Sequence, residues 1–296
     1  MRTLTIINQK GGCGKTTTAI NLAAVFAKQG HRTLIVDMDP QSHCAAGLGV
    51  PEERVKYSIA DALLDTHDSE FDHTKLVWSV SKNLSLAPST MMLSALESPH
   101  GGLYQLPDKD RRLESLLKCL TGHYDRCIID CSPTVGLLTF SSLRAAHEAL
   151  IPVETGFFSY RGARKQVRTI QAILGRIGRP LPTHILPTLH KTNSKLAMTI
   201  LKKLRSEFEE LVLPVEIHEH EALREAASMG KSVIDHAPNS EAQKDFLALS
   251  EALESWSGRG TVEMGNGLGG RAAELADRLD NLQRSRIKES QETDDA

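Results

Sequence analysis

The sequence has no apolar run near the roughly 18 residues that a membrane-spanning helix needs, because charged residues interrupt every apolar stretch. Its first residues, MRTLTIINQKGG, lack the apolar core and small-residue cleavage site of a secretory signal. Cysteine is also scarce, and the five cysteines contain no C-x-x-C pair and stand among apolar residues or glycines. This pattern favours reduced thiols over a disulfide framework. We therefore expect neither a transmembrane nor an exported protein, and we expect a cytoplasmic location.

An excess of charge of either sign is absent, since 35 Lys and Arg face 37 Asp and Glu and the net charge is −2. This balance argues against a histone-like basic protein and against an acidic disordered chain. With 40% apolar residues over 296 positions, the chain can bury a substantial core. The composition changes after Trp256, because the segment 257–270 contains six glycines. We predict one domain over residues 1–257, followed over 258–296 by a glycine-rich linker and a polar tail that is helical or disordered.

Strand-like and helix-like segments alternate along the predicted domain. Short apolar and β-branched segments predict buried strands at Thr3–Asn8, Thr33–Val36, Cys127–Ile129, Leu150–Val153, Thr183–Pro187 and Leu211–Val215. Apolar residues at helical spacing predict helices at Thr16–Gln29, Ser58–Leu64, Ser89–Glu97, Arg111–Leu120, Leu137–His147, Gly162–Gly175, Lys195–Phe208, Glu221–Ser228 and Glu241–Trp256. This alternation predicts an α/β fold with a predominantly parallel, twisted sheet covered by helices on both faces.

A glycine-rich loop, KGGCGKTT over residues 10–17, lies between the first predicted strand and the first predicted helix. In that position glycines let backbone N–H groups wrap a phosphate, and the start of the helix favours an anion. Lys15 supplies a positive charge for the outer phosphates, and the hydroxyl of Thr16 is a ligand for Mg²⁺. The predicted nucleotide-binding residues are Gly11, Gly12, Cys13, Gly14, Lys15, Thr16 and Thr17.

The loop departs from the strict pattern G-x-x-x-x-G-K-[ST], because Gln9 stands where the first glycine is expected and a second lysine, Lys10, precedes the glycines. In this form it resembles the deviant Walker A loop of the ParA/MinD family of dimerising ATPases, and within that family the ParA/Soj-type partition ATPases. The resemblance implies a P-loop NTPase fold, Mg-dependent hydrolysis of ATP to ADP and phosphate, and a homodimer that forms on ATP binding. In that family the extra lysine, here Lys10, reaches the phosphates bound by the partner subunit.

Two further segments, IVDMDPQ (residues 35–41) and IIDCSP (residues 128–133), resemble signatures of the same family. By this resemblance Asp39 positions or polarises the attacking water, Asp37 supports the magnesium shell, and Asp130 holds Mg²⁺ through water. An alternative role for Asp37 or Asp39 is to cap the turn before Pro40. The resemblance implies that the catalytic residues are Lys10, Lys15 and Asp39 and that the metal-binding residues are Thr16, Asp37 and Asp130.

A basic segment is hidden by the balanced total charge. Residues 161–205 contain eleven Lys and Arg and no Asp or Glu. The candidate DNA-binding residues in this segment are Arg161, Arg164, Lys165, Arg168, Lys191 and Lys195. Because no aromatic residue is interleaved with them, they suit contact with the phosphate backbone of a duplex without sequence preference. The alternative is a solvated face balanced by acids from elsewhere in the fold, and two positions where the family usually carries arginine hold Glu219 and Ala222 here.

Three functions remain open from the sequence. The first is a ParA-type switch that binds the nucleoid as an ATP dimer and segregates or positions a chromosome, plasmid or protein complex, with a ParB-like or cargo-adaptor protein stimulating hydrolysis. The alternative is a MinD-like ATPase that associates with a membrane through its tail, which the acids of the tail disfavour. The third is a metabolic or metal-inserting enzyme, for which His218 and His220 are the only suggestive cluster. These two histidines either bind a metal or are solvated at the start of a helix.

Overall fold

The computed structural model describes residues 1–65, 71–98, 100–256 and 261–262. The strands within these residues are β1 (Arg2–Ile6), β2 (Thr33–Met38), β3 (Trp78–Ser81), β4 (Leu84–Ala87), β5 (Arg126–Cys131), β6 (Glu148–Glu154), β7 (Leu181–Thr188) and β8 (Thr261–Val262). The helices are α1 (Lys15–Lys28), α2 (His43–Gly47), α3 (Ile59–Leu64), α4 (Met92–Glu97), α5 (Gly102–Gln105), α6 (Arg112–Leu120), α7 (Leu137–Ala145), α8 (Phe157–Ile177), α9 (Lys195–Phe208), α10 (Glu221–Ser228), α11 (Val233–His236) and α12 (Glu241–Trp256).

The strands form one sheet in the order β3-β4-β2-β5-β1-β6-β7-β8. The strands from β4 to β7 in this order run parallel, whereas β3 and β8 lie antiparallel at the two edges. In this register Asp130 of β5 lies opposite Ile6 of β1 and opposite Asp37 of β2. The carboxyl ends of three adjacent strands therefore meet at one edge, where parallel sheets bind their ligands. The predicted α/β fold class is confirmed.

Both faces of the sheet are buried, which explains why its strands are almost continuously apolar. Within β5, Ile128 packs into one hydrophobic cluster, and Cys127 and Ile129 pack into the other. The cluster that contains Ile128 lies beneath α1, α2 and α10–α12, and Phe246 of α12 is fully buried in it. The other cluster lies beneath the helices from α3 to α9. The sheet is thus a rigid middle layer from which the loops at its carboxyl edge project.

Glycines end the two helices that bear on the candidate site. Gly30 follows α1 with a φ of 98°, and Gly178 caps α8 with a φ of 77°. A positive φ suits glycine because a Cβ atom would crowd the backbone there. These two glycines fix where the chain leaves α1 for β2 and α8 for β7.

Most predicted elements are present, and the helices Lys195–Phe208, Glu221–Ser228 and Glu241–Trp256 have the predicted bounds. The predicted strand Leu211–Val215 is wrong. The N–H of Leu213 donates to the carbonyl oxygen of Ile185 at 2.9 Å, but Pro187, two residues further along β7, has no N–H to donate back, so this segment makes only an isolated bridge, between Val212 and Ile185. The short strands β3 and β4 were not predicted, since each has only four residues.

Two residues of the predicted tail are described, Thr261 and Val262, and they pair with Pro182 and Leu181 of β7. The other residues of 258–296, which include those considered for membrane attachment, lie outside the described residues. The linker and tail assignment therefore stays a prediction. In the part of the chain that the structure describes, none of the helices combines the length and apolar character needed to cross a membrane.

Candidate nucleotide-binding site

The glycine-rich loop connects the end of β1 to the start of α1. Gly12 and Gly14 adopt φ values of 70° and 89°, which turn successive backbone N–H groups of the loop. The first turn of α1, which starts at Lys15 and continues through Thr16 and Thr17, contains no acidic residue and has no side-chain cap. Its partial positive charge and free N–H groups are therefore available to an anion.

Two hydrogen bonds that involve Cys13 stabilise the conformation of the loop. The Cys13 thiol is 1% exposed and donates to the carbonyl oxygen of Lys10 at 3.2 Å. The hydroxyl of Thr188, at the end of β7, donates to the carbonyl oxygen of Cys13 at 2.8 Å. Burial raises the pKa of the Cys13 thiol, so this side chain stays protonated and supports the loop rather than acting as a nucleophile.

The two lysines of the loop lie in different places. Lys15 is only 7% exposed, and its Nζ donates to the carbonyl oxygen of Lys10 at 3.3 Å, inside the curve of the loop. The Lys10 ammonium lies at the rim, where it forms an ion pair with Glu154 at the end of β6. Asn8 holds the backbone N–H of Lys10 at 3.0 Å through its Oδ1. The loop thus presents one buried and one accessible positive charge.

Gln9, which stands in place of the usual first glycine, ties the loop to α8. Its backbone N–H donates to Oε1 of Gln166 at 3.0 Å, and its Nε2 donates to the hydroxyl of Thr169 at 3.0 Å. Glycine could not make the second bond. The sequence shows the departure at Gln9 but gives no signal for its partners, because these lie about 160 residues away in the sequence.

Three predicted site residues form a buried cluster beneath the loop. The hydroxyl of Thr16 donates to Oδ2 of Asp130 at 2.6 Å, and Asp130 and Asp37 are both fully buried. Oδ1 and Oδ2 of Asp37 accept the backbone N–H groups of Asp39 and Cys44 at 3.0 and 3.1 Å. The Cys44 thiol, which belongs to none of the predicted motifs, donates to Asp130 at 3.4 Å.

Burial dominates the electrostatics of this cluster. Loss of solvation raises the pKa of Asp37, and the neighbouring charge of Asp130 raises it further. For Asp130, loss of solvation raises the pKa more than the hydrogen bond from Thr16 lowers it. Two buried carboxyls on adjacent strands repel each other when both are ionised, so a cation placed between them and the loop would be strongly attracted.

A magnesium ion fits these residues. Asp130 Oδ1 is buried and has no hydrogen-bond partner among the described residues, whereas its Oδ2 accepts two. A buried carboxylate oxygen without a partner, beside a hydroxyl, suits a hydrated Mg²⁺ ion, which prefers oxygen ligands and usually keeps several of its waters. Asp37 contributes its charge, although both of its oxygens already accept backbone N–H groups.

Asp39 lies just beyond β2, at the same edge of the sheet. It is 6% exposed, and its Oδ1 accepts the backbone N–H of Gln41 at 3.0 Å. This is the turn-capping contact that the sequence left open as an alternative, and it involves one of the two carboxylate oxygens. Asp39 therefore lies beside the acidic cluster in a fixed orientation.

Some basic residues of segment 161–205 form ion pairs with nearby acids, and others are exposed without one among the described residues. Arg164 forms an ion pair with Glu207 of α9, and Lys191 forms one with Glu219 at 2.8 Å. Lys165 and Arg168 of α8 and Lys195 of α9 are exposed, and no ion pair of theirs is found among the described residues. Arg161 lies on α8, but its side chain is outside the described ones.

Comparison with known proteins identifies relatives that match most of the chain. A family model described as an AAA domain matches residues 1–181, a range that includes the loop and all three aspartates. The chain is 35% identical to the chromosome partitioning protein ParA of Myxococcus xanthus over 255 residues, which are 85% of this chain and 87% of that protein. It is 32% identical to the sporulation initiation inhibitor protein Soj of Bacillus subtilis over 251 residues, 84% of this chain and 97% of that protein.

Solved structures of one enzyme that matches this chain contain bound nucleotide and magnesium. Cobyrinic acid a,c-diamide synthase from Mycobacterium smegmatis, crystallised with ADP and magnesium, matches with a TM-score of 0.73 and 25% identity. The match covers 87% of this chain and 96% of that one. The same enzyme with an ATP analogue and magnesium also matches with a TM-score of 0.73.

Proposed function

Because this chain belongs to the ParA/Soj family of ATPases, we propose that it is an ATP-driven switch that segregates or positions a chromosome, a plasmid or a protein complex. ATP joins two copies of the chain face to face, and the dimer binds double-stranded DNA of the nucleoid without sequence preference. A ParB-like or cargo-adaptor protein then stimulates hydrolysis, and the dimer releases the DNA. The cycle takes place in the cytoplasm, at the nucleoid.

The observation that carries this proposal is the different placement of the two loop lysines. Lys15 is buried inside the loop and neutralises the phosphates of the bound ATP. Lys10 is held outside it, with 39% of its side chain exposed beside Glu154. An ammonium at the rim is suited to the phosphates of a second subunit, since an accessible ion pair of this kind contributes only about 0–1 kcal/mol and is readily exchanged.

The cofactors are ATP and Mg²⁺, which match the ligands of the structural relatives and the oxygen donors at this site. Thr16 and Asp130 hold the ion, Asp130 through water, and Asp37 adds charge from the next strand. The bound ion offsets the negative charge of the outer phosphates. The backbone N–H groups from Gly11 to Thr17 hold the phosphates, and Cys13 contributes its backbone rather than its thiol.

Asp39 positions the attacking water in this proposal. Its Oδ1 is engaged with the backbone of Gln41, and no hydrogen bond to its Oδ2 is found within the described part of the chain. A group that positions a water molecule needs one carboxylate oxygen to be held in place and the other to be available to the water, and Asp39 has this arrangement. Hydrolysis then depends on a side chain that contributes little to ATP binding.

The DNA-binding surface in this proposal centres on Lys165 and Arg168 of α8 and Lys195 of α9. These cations are exposed and lie outside the ion pairs that engage Arg164 and Lys191. A surface of unpaired lysines and arginines without aromatics binds phosphates and does not read bases. Affinity then depends steeply on salt, because each contact releases a condensed counterion.

The experiment measures retention of unrelated duplex DNAs with Mg-ATP, with Mg-ADP and without nucleotide, over a series of salt concentrations. The double variant Lys165→Glu/Arg168→Glu should lose ATP-dependent retention by at least about tenfold, and its slope against log salt should fall by about two. The control, Lys56→Glu/Lys82→Glu, makes the same charge change on exposed lysines elsewhere and should behave as the unaltered chain. Equal retention by both double variants, or no preference for Mg-ATP, would contradict the proposal.

A further inference from the structure

A cluster of two histidines and one aspartate lies outside the candidate nucleotide-binding site. His218 and His220 belong to the extended segment before α10, and Asp245 belongs to α12. His218 forms a parallel bridge with His190, just after β7. Because side chains alternate along an extended segment, His218 and His220 point to the same side, and that side faces Asp245.

The ligand atoms of the three residues converge on one point. One atom from each residue, a ring nitrogen or a carboxylate oxygen, lies within 4.8 Å of the other two. Asp245 Oδ2 is 3.0 Å from His218 Nδ1 and 2.8 Å from His220 Nε2. Ligands bonded to zinc at about 2.0–2.1 Å in a tetrahedron stand about 3.3 Å apart, so small movements would admit the ion.

The cluster is partly buried yet reachable from solvent. The side chains of His218, His220 and Asp245 are 30%, 20% and 14% exposed. A metal ion can therefore enter, and a water molecule can occupy the fourth position. The ring centroid of His190 lies 5.6 Å from that of His218, but His190 contributes no atom to the converging set, and its Nδ1 contacts the hydroxyl of Thr155 at 3.2 Å.

The neighbouring glutamates form ion pairs with basic residues outside the cluster. Glu219, between the two histidines, pairs with Lys191 at 2.8 Å and also with Arg224. Glu216 pairs with Arg205. Asp245 is therefore the carboxylate that faces both rings, and the donor set is two imidazole nitrogens and one carboxylate oxygen.

We propose that His218, His220 and Asp245 form a second metal site, which takes a borderline divalent transition metal, with Zn²⁺ as the reference ion. Imidazole nitrogens suit zinc, nickel and copper, whereas Mg²⁺ prefers an all-oxygen shell. This site therefore does not compete with the magnesium site at Thr16 and Asp130. The bound metal ties the segment before α10 to α12 in this chain.

The proposed metal link between the segment before α10 and α12 lies close to the phosphate-binding loop. The segment is already joined to the chain after β7, since His190 N–H donates to the carbonyl oxygen of Ile217 at 3.1 Å. Two residues earlier, Thr188 holds the carbonyl oxygen of Cys13 in the loop. Metal binding therefore stiffens the outer support of the nucleotide site without contributing a ligand to the nucleotide.

The test titrates Zn²⁺ into the full-length, metal-free protein by calorimetry, and repeats the titration with saturating Mg-ATP. Co²⁺ serves as a spectroscopic probe, because tetrahedral and octahedral Co²⁺ differ strongly in visible absorption. The variants are His218→Ala, His220→Ala and Asp245→Asn, the last of which keeps a hydrogen-bond acceptor for both rings. His236→Ala is the matched control, since His236 contacts one carboxylate, that of Glu225, at 3.4 Å.

We expect one equivalent of Zn²⁺ to bind with or without Mg-ATP, and Co²⁺ to give a tetrahedral spectrum. Each of the three variants should weaken binding by more than the about 10- to 100-fold that loss of a supporting outer residue costs, and His236→Ala should leave it unchanged. Circular dichroism of Asp245→Asn checks that the variant is folded, and a spectrum like that of the unaltered chain is expected. Binding unaffected by all three variants, an octahedral Co²⁺ spectrum, or no binding at all would overturn the proposal and leave the cluster as a hydrogen-bonded contact.

Discussion

The hydrogen bond from Gln9 to Thr169 predicts that the phosphate-binding loop and α8 respond together to the nucleotide. The perturbation is Gln9→Ala, which removes the Nε2 donor 3.0 Å from the Thr169 hydroxyl. The backbone N–H of residue 9 keeps its contact with Gln166, so the loop stays attached to α8 at one point. Thr169 lies one residue after Arg168 on α8, the helix that carries Lys165 and Arg168 of the proposed DNA-binding surface. We expect Gln9→Ala to bind ATP but to transmit binding to that surface less well.

The magnitude follows from one neutral, half-buried hydrogen bond. Such a bond contributes about 0.5–1.5 kcal/mol net, and about 1 kcal/mol corresponds to a factor of about five in an equilibrium constant. The preference of DNA binding for Mg-ATP over Mg-ADP should therefore fall by about fivefold. The melting temperature should fall by about 2–4 °C, given the size of the domain.

The assay measures DNA affinity in Mg-ATP and in Mg-ADP for Gln9→Ala, Thr169→Val and the double variant. Thr169→Val also removes the bond from the Thr169 hydroxyl to the carbonyl oxygen of Lys165 at 3.0 Å, so the double variant should lose no more than Thr169→Val alone. Gln29→Ala is the matched control, since it removes a similar amide-to-hydroxyl bond, to Ser250 at 3.1 Å. It should lower stability without changing the nucleotide preference. An unchanged preference in Gln9→Ala, or fully additive losses in the double variant, would refute the coupling.

Three further predictions concern hydrolysis, dimerisation and stability. Asp39→Ala should bind ATP normally and hydrolyse it about a hundredfold more slowly or worse, as measured by phosphate release; turnover equal to that of the unaltered chain would remove Asp39 from the catalytic set. Lys10→Ala should keep nucleotide affinity and lose ATP-dependent dimerisation in light scattering, and a normal dimer would show that Lys10 does not act across the interface. Gly230→Ala should lower the free energy of unfolding in urea by about 2 kcal/mol or more, because φ is 64° and the new Cβ would lie 2.7 Å from the Cα of Gly49. The control Gly178→Ala, with φ at 77° and open space around its Cβ, should cost about 1 kcal/mol, and an equal loss in both would show that the close approach contributes nothing.

The parts of the fold that the sequence predicts well are those specified by local periodicity. The helix Lys195–Phe208 is amphipathic and begins at Ser194, whose hydroxyl accepts the backbone N–H of Ala197 at 3.2 Å. The strand predicted at Leu211–Val215 fails because Pro187 of the neighbouring strand β7 has no N–H with which to continue the hydrogen-bond ladder beyond Ile185. The apolar pattern was present there, but it reflects packing beside β7 rather than membership of the sheet.

The candidate site was predicted through contiguous motifs. The loop from Lys10 to Thr17 and the aspartates at the ends of β2 and β5 are specified by residue type and position along a strand, and the register of the sheet brings them together. Their partners were not predictable in this way. Thr188, Gln166 and Glu154 contact the loop from β7, α8 and β6, and no short-range pattern relates them to it.

The number of basic residues in segment 161–205 overstates the number of cations that are available to a ligand. Its sequence has no acid between residues 161 and 205, yet Glu207 neutralises Arg164 and Glu219 neutralises Lys191. Ion pairs form between residues that are neighbours in space, and the acids that follow the segment return to it at α9 and before α10. The number of available cations is therefore smaller than the number of basic residues.

Residue type and spacing within one strand, turn or helix were enough to predict the fold class, the candidate phosphate-binding loop and the three candidate aspartates. The partners of individual side chains became visible in the folded structure alone: Gln9 with Thr169, Lys10 with Glu154, and Asp245 with the two histidines. Hydrogen bonds and metal sites require atoms to meet within a few ångströms. These partners, which stand 25 to 160 positions apart in the sequence, reach that distance only through the packing of the sheet and its helices.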